Sequence, residues 1–155
     1  NIAFIGGSPQ LNLASLRFKG FQETMRDAGH EINPALVSML GYETCSGETG
    51  MEEILGHALL PSAVLAISDQ VAMGVLRACM RQGLRVPQDI SIISCDNTFI
   101  ARSLYPALTS IDINPEMQGE TAVRLLVRKI EGEQVPNFNG ITPRLVIRDS
   151  TMRLL

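Results

Sequence analysis

Short runs of consecutive apolar residues alternate along this chain with stretches in which apolar residues recur every three or four positions. Ile2–Ile5 is the first run; it stops at Gly6-Gly7, as a buried strand and its turn would. Phe18, Phe21, Met25 and Ala28 then fall on one helical face, and Gly29 stands where a left-handed residue ends a helix. Leu36–Leu40 is a second run, closed by Gly41. Ser46 is placed to cap a further helix, with Met51, Ile54, Leu55, Ala58 and Leu59 as its buried stripe and Pro61 as its stop. Ala63–Ile67 predicts a third strand, and Ser68-Asp69 at its end can cap the helix that follows. Val71, Val75, Ala78 and Cys79 line one side of that helix, Arg77 and Arg81 the other, and Gly83 ends it. Ile90–Ser94 is a fourth strand, followed by Cys95-Asp96-Asn97.

A βαβαβαβ rhythm with nearly continuous apolar strands predicts an α/β fold with a doubly wound parallel sheet buried on both faces. The rhythm changes after Asn97. A loop holding Tyr105-Pro106 leads to a short strand near Thr109–Ile113, then to a helix over 116–131 opened by Pro115 and closed by Gly132. Leu145–Ile147 reads as a last strand.

Charge narrows the choice of partner. Residues 1–97 carry 6 basic and 10 acidic side chains, and residues 98–155 carry 7 and 6. No basic stripe exists to neutralise phosphates, so the piece is not read as a nucleic-acid binder in its own right. No apolar run approaches the roughly 20 residues of a membrane span. The start at Asn1, without an initiator Met or a signal-peptide layout, reads as a fragment or a mature piece. Cys45, Cys79 and Cys95 are odd in number and irregular in spacing, which suits reduced thiols in a cytosolic protein. They offer no spacing for a metal, and no cofactor is implied.

Doubly wound sheets bind ligands outside the carboxyl ends of their strands. Those ends carry Gly6-Gly7, Gly41-Tyr42, Ser68-Asp69 and Asp96-Asn97, with Arg17 near the start of the first helix. Carboxylates, a hydroxyl, a guanidinium and an aromatic ring on one edge suit a polar, hydroxyl-rich ligand. Each residue also has a structural reading: Asp69 as a cap, Asp96 in a turn, Tyr42 packed on its loop. Gly6-Gly7 lacks the spacing of a dinucleotide fingerprint. Catalysis would have to come from Cys95, Asp96, His30 or His57, but the histidines fall at helix ends away from that edge, so no nucleophile has its base in reach.

Several stretches resemble the lactose/galactose repressor family in combination: Ser68–Ala78, Gly83–Ile92, Asp96-Asn97 after the strand, and Pro106–Ile111. Ile2–Gly7, Leu16–Gly29 and Pro143–Thr151 extend the likeness over nearly the whole chain. The resemblance implies a periplasmic-binding-protein-like domain of two lobes with an effector between them, and a helix-turn-helix head that reads operator DNA. Residues 1–97 would form the body of the second lobe, 98–140 a crossover and return into the first, and 141–155 a strand returning to the second. The head and most of the first lobe would lie outside this piece. The family's effector contacts fall on Arg17, Tyr42, Ser68, Asp69 and Asp96, and its homodimer surface on Arg77, Arg81, Leu104 and Tyr105. Leu11 and Leu13 stand where purine-responsive relatives carry polar contacts, which points to a sugar rather than a purine. The alternative is a periplasmic sugar receptor of a transport system with the same fold.

Overall fold

The computed structural model describes residues 1–57 and 60–153. Its core is one six-stranded sheet. The elements are β1 (Ile2–Ile5), α1 (Asn12–Asp27), β2 (Val37–Ser38), α2 (Thr44–Gly56), β3 (Ala63–Ala66) and α3 (Asp69–Arg81). They continue with β4 (Ser91–Cys95), α4 (Phe99–Ser103), β5 (Thr109–Asp112), α5 (Pro115–Ile130) and β6 (Arg144–Val146). The strand order is β2-β1-β3-β4-β5-β6. The first five strands run parallel, and β6 pairs antiparallel with β5, Ile111 opposite Leu145. Among the described residues no helix is long and apolar enough to cross a membrane.

The pleat of β1 assigns the helices to faces, because successive side chains point to opposite sides. Phe4 meets Phe18 and Phe21 of α1, with ring centroids 5.0 and 5.4 Å away. Its neighbour Ile5 points toward Gly50 of α2. On that second face α2 and α3 pack together with almost no side chain between them. A β-carbon at Gly47 would collide with the Val71 carbonyl, and one at Gly74 with the Thr44 carbonyl. Met51 and Ile54 of α2, and Val71, Val75, Ala78 and Cys79 of α3, are buried there with Val64 and Ile92.

Several boundaries differ from the sequence reading. The run at 36–40 yields only the two residues of β2, since Asn33 caps a single 3-10 turn at Pro34–Leu36 and consumes its start. α2 begins two residues before Ser46, with Glu43 in the cap position and no side-chain cap bond. It ends at Gly56, before Pro61. Of its predicted stripe, Ala58 and Leu59 lie outside the described residues. Ala28 is exposed rather than on the buried face of α1. The loop expected after Asn97 contains the short helix α4, which buries Ala101. The 98–140 segment divides: residues up to Asp112 are built into this sheet, and α5 is the element that stands off it. Asn114 opens α5, its side chain accepting from the Met117 amide at 3.2 Å.

Candidate functional site at the carboxyl edge of the sheet

The direction of chain travel reverses between β1→β2 and β2→β3, so the carboxyl ends of β1 and β3 flank the switch point of the sheet. Beyond β1 the chain turns through Gly6 and Gly7 (φ +103° and +84°). There the Gly7 amide donates to the Gly41 carbonyl at 2.7 Å. That bond brings the Gly41-Tyr42 loop to the end of β1. Gln70 of α3 donates to Glu43 at 3.2 Å and ties the same loop to α3.

Arg17 reaches this edge from the second turn of α1. Its Nη1 donates to the Ile67 carbonyl at 2.6 Å, and its Nη2 to Asp96 Oδ1 at 2.9 Å. Both side chains keep partial access to water, 20% for Arg17 and 28% for Asp96. The pair is therefore held in place yet reachable, with guanidinium donors and carboxylate oxygens to spare. Asp96 and Asn97 both have positive φ, +94° and +49°. Side chains adopt that region at a cost of about 1 kcal/mol or more, and it persists only where surroundings over-determine it.

Ser68 acts as the predicted cap of α3, its Oγ accepting from the Val71 amide at 3.3 Å. Asp69 departs from the expected effector contact. Its carboxylate is 1% exposed and is filled by the protein itself. Oδ1 accepts from the Ser94 and Ser110 hydroxyls at 2.5 and 2.7 Å. Oδ2 accepts from the Thr98 amide and hydroxyl at 2.6 and 2.8 Å. Tyr42 packs its ring against the core, and its hydroxyl is the one buried side-chain polar atom, among the described residues, with no hydrogen-bond partner.

Ser94, Thr98, Ser110 and Arg148 were not found from the sequence. Arg148 donates to Asn97 Oδ1 and to the Leu108 carbonyl, both at 2.6 Å, and so ties the segment after β6 to the Asp96-Asn97 turn. A signal did exist: Ser94 and Ser110 are polar residues inside otherwise buried strands, and a buried hydroxyl needs a partner.

The residues assigned to a dimer surface separate. Tyr105 is 93% exposed, and Arg77 is exposed on α3. Leu104 is half-buried against the core. Arg81 pairs with Glu48 and Glu52 of α2 within the same chain.

Cys95 lies beneath this edge, its thiol pushed up to about 11, chiefly by burial. Burial likewise raises Cys79 to about 12. Neither is a thiolate nucleophile at neutral pH. His30 lines a concavity of about 420 Å³ with Asn1, Ile2 and Ser62, at the amino-terminal ends of β1 and β3. It is thus at the opposite edge from Cys95 and Asp96.

The family model of the periplasmic binding protein-like domain matches residues 1–151. The chain is 36% identical over 155 residues to the HTH-type transcriptional repressor PurR of Histophilus somni, covering 99% of this chain and 46% of that protein. It is 38% identical over 151 residues to the PurR repressor of Pasteurella multocida, covering 97% and 45%. The chain thus spans about half the length of the curated relatives it matches. These relatives are transcription repressors, not enzymes. Among solved structures it is similar to the CelR transcriptional regulator–cellobiose complex, with TM-score 0.86, 32% identity, and 96% and 46% of the two chains covered. It is also similar to a dimeric Lac repressor with a C-terminal deletion, with TM-score 0.92, 28% identity, and 98% and 55% covered. The chain belongs to the periplasmic binding protein-like domain family, in the form that serves as the effector-binding domain of LacI-family transcription regulators.

Proposed function

We propose that this chain is the second-lobe part of the effector-binding domain of a cytoplasmic repressor that senses a sugar or sugar derivative. A first lobe and a helix-turn-helix head would complete it. Effector held between the lobes would change their relative orientation and so the spacing of two operator-binding heads in a homodimer. Such a shift needs the effector to bind one orientation more tightly than the other.

The observation that carries the reading is the Arg17–Asp96 pair at the switch point, fixed by the Ile67 carbonyl and still reachable from solvent. A guanidinium fork and a carboxylate side by side give a donor and an acceptor for vicinal hydroxyls. Tyr42, on the loop tied to the end of β1, would supply an aromatic ring. One solved relative is described as a complex with cellobiose, which agrees with a carbohydrate effector. The same reading makes Tyr105, Arg77 and the exposed Phe99 and Met80 the dimer surface. Their exposed apolar area is of the kind that marks interaction sites.

The test is calorimetric titration of the full-length protein encoded by the gene with cellobiose, glucose and galactose, and with adenine and hypoxanthine. Binding of a sugar, weakened at least tenfold by Asp96→Ala, is the expected result. Binding of a purine base and no sugar would overturn the sugar assignment. Sugar binding indifferent to Asp96→Ala would overturn the site.

A further inference from the structure

We infer that Asp69 is a positioning residue: without touching the effector, it fixes the turn at Asp96–Thr98 that presents the Asp96 carboxylate. The inference rests on the reading of Asp96 as an effector contact and says how the protein holds it there.

Asp69 sits in the first turn of α3, where a negative charge is favourable to the helix. Among the described residues no lysine or arginine forms an ion pair with it. Its charge is instead satisfied by four donors from three other parts of the chain: Ser94 in β4, Ser110 in β5 and Thr98 in the turn. Packing alone would be served by an apolar residue. A carboxylate is the side chain that only accepts and has room for four hydrogen bonds.

The three consecutive amides of the turn show what this accomplishes. The Asp96 amide donates to the Ile111 carbonyl at 2.8 Å. The Asn97 amide donates to Ser110 Oγ at 3.0 Å. The Thr98 amide donates to Asp69 at 2.6 Å. Ser110 serves as a relay: its hydroxyl hydrogen is committed to Asp69, which leaves a lone pair facing Asn97. Two of the three bonds therefore depend on Asp69, one directly and one through the orientation of Ser110. They follow directly on Asp96 and bracket Asn97, the two positive-φ residues of the turn, the part of the backbone least able to hold its shape unaided. Releasing Asp69 frees the turn to relax toward ordinary φ, and the carboxylate paired with Arg17 swings with it.

An amide breaks this arrangement without changing its size. In Asp69→Asn the new side chain would present its NH2 group either to the Thr98 amide, donor against donor, or to the two serine hydroxyls, which would then have to reverse. The test is amide hydrogen exchange by NMR on the full-length protein, comparing wild type with Asp69→Asn, Thr98→Val and Thr98→Ser. Expected is exchange at least tenfold faster at Asn97 and Thr98 in Asp69→Asn, with Val64 and Ile92 in the core near wild-type rates. Thr98→Val, which loses one donor, gives a smaller acceleration, and Thr98→Ser restores the wild-type rate. The Thr98 pair carries the test if Asp69→Asn fails to fold. Wild-type rates at the turn in Asp69→Asn and Thr98→Val, or acceleration only in step with the core, would overturn the inference. Titration with cellobiose, glucose and galactose separates the two readings. Affinity retained in Asp69→Asn but lost in Asp96→Ala overturns positioning by Asp69. Affinity indifferent to Asp96→Ala, with the turn loosened in Asp69→Asn, sinks the contact and leaves Asp69 as the residue that fixes the turn.

Discussion

At Tyr42 a phenol hydroxyl is buried with nothing to bond to, in a chain whose other buried side-chain polar atoms, among the described residues, are paired. Leaving such a group unpaired costs about 1–3 kcal/mol. The protein therefore carries a local instability where the Tyr42 side chain packs against the core. Tyr42→Phe is expected to raise the stability of the ligand-free protein by about 1 kcal/mol, seen as a higher urea midpoint with unchanged slope. A lower midpoint would mean that the hydroxyl already has a partner in the free protein. Residues on the carboxyl edge of the sheet were legible to different degrees. Asp96 could be placed because it follows a strand, and Arg17 because it lies early in the first helix. Asp69 could be placed at a strand end, but whether its carboxylate faces outward or inward depends on Ser94, Thr98 and Ser110, which are distant in sequence.

Among the elements, strong periodicity or a strong stop made boundaries readable: β1, α3 and α5 fall within a residue or two of their predicted spans. β2 shrank because the run at 36–40, four apolar residues around Ser38, does not say how many of its residues pair, and a 3-10 turn capped by Asn33 competed for the first of them. α2 escaped its predicted cap because its position is set by contact with α3 at Gly47 and Gly74 rather than by local capping. The connection from α3 to β4 is held differently, by a local clasp. Arg85 Nε and Nη2 donate to the Asp89 carboxylate at 2.8 and 2.7 Å, and the Arg85 amide donates to it at 2.7 Å. These bonds, the guanidinium's first, lower the Asp89 carboxyl from 3.8 to about 2. A depressed folded-state value means the clasp stabilises fully above the ordinary carboxyl range and is lost as pH falls from 3.8 through about 2. The gap in urea midpoint between wild type and Asp89→Asn is therefore expected to be constant from pH 7 to 5 and to close between pH 4 and 2. A gap that persists unchanged at pH 2 would show that the carboxylate charge contributes nothing.

For the molecule as a whole, α5 shows what the sheet does not satisfy. None of its 16 residues is buried. Val123, Leu126, Val127 and Ile130 are 61, 58, 46 and 77% exposed, and their spacing puts them on one stripe. Phe138, beyond the helix, is 85% exposed. An amphipathic helix draws most of its stability from the surface that covers its apolar stripe, and each large side chain fully buried contributes roughly 1.5–3 kcal/mol. The sequence made the helix legible through Pro115 and Gly132 at its ends, which do not say what lies against its apolar stripe. In the proposed regulator the covering surface is the rest of the first lobe, in keeping with a chain that spans 46% of its relative in Histophilus somni. Two expectations follow for the 155-residue chain alone. The amides of Val123, Leu126 and Val127 should exchange at least a hundredfold faster than those of Val64 and Ile92 in the sheet. Val127→Asp should leave its urea midpoint unchanged within error. In the full-length protein those amides should be protected to the level of the sheet, and the same substitution should cost roughly 2 kcal/mol or more. Sheet-like protection of α5 in the 155-residue chain would mean that the helix completes itself without a first lobe. Indifference to Val127→Asp in the full-length protein would place the covering surface elsewhere.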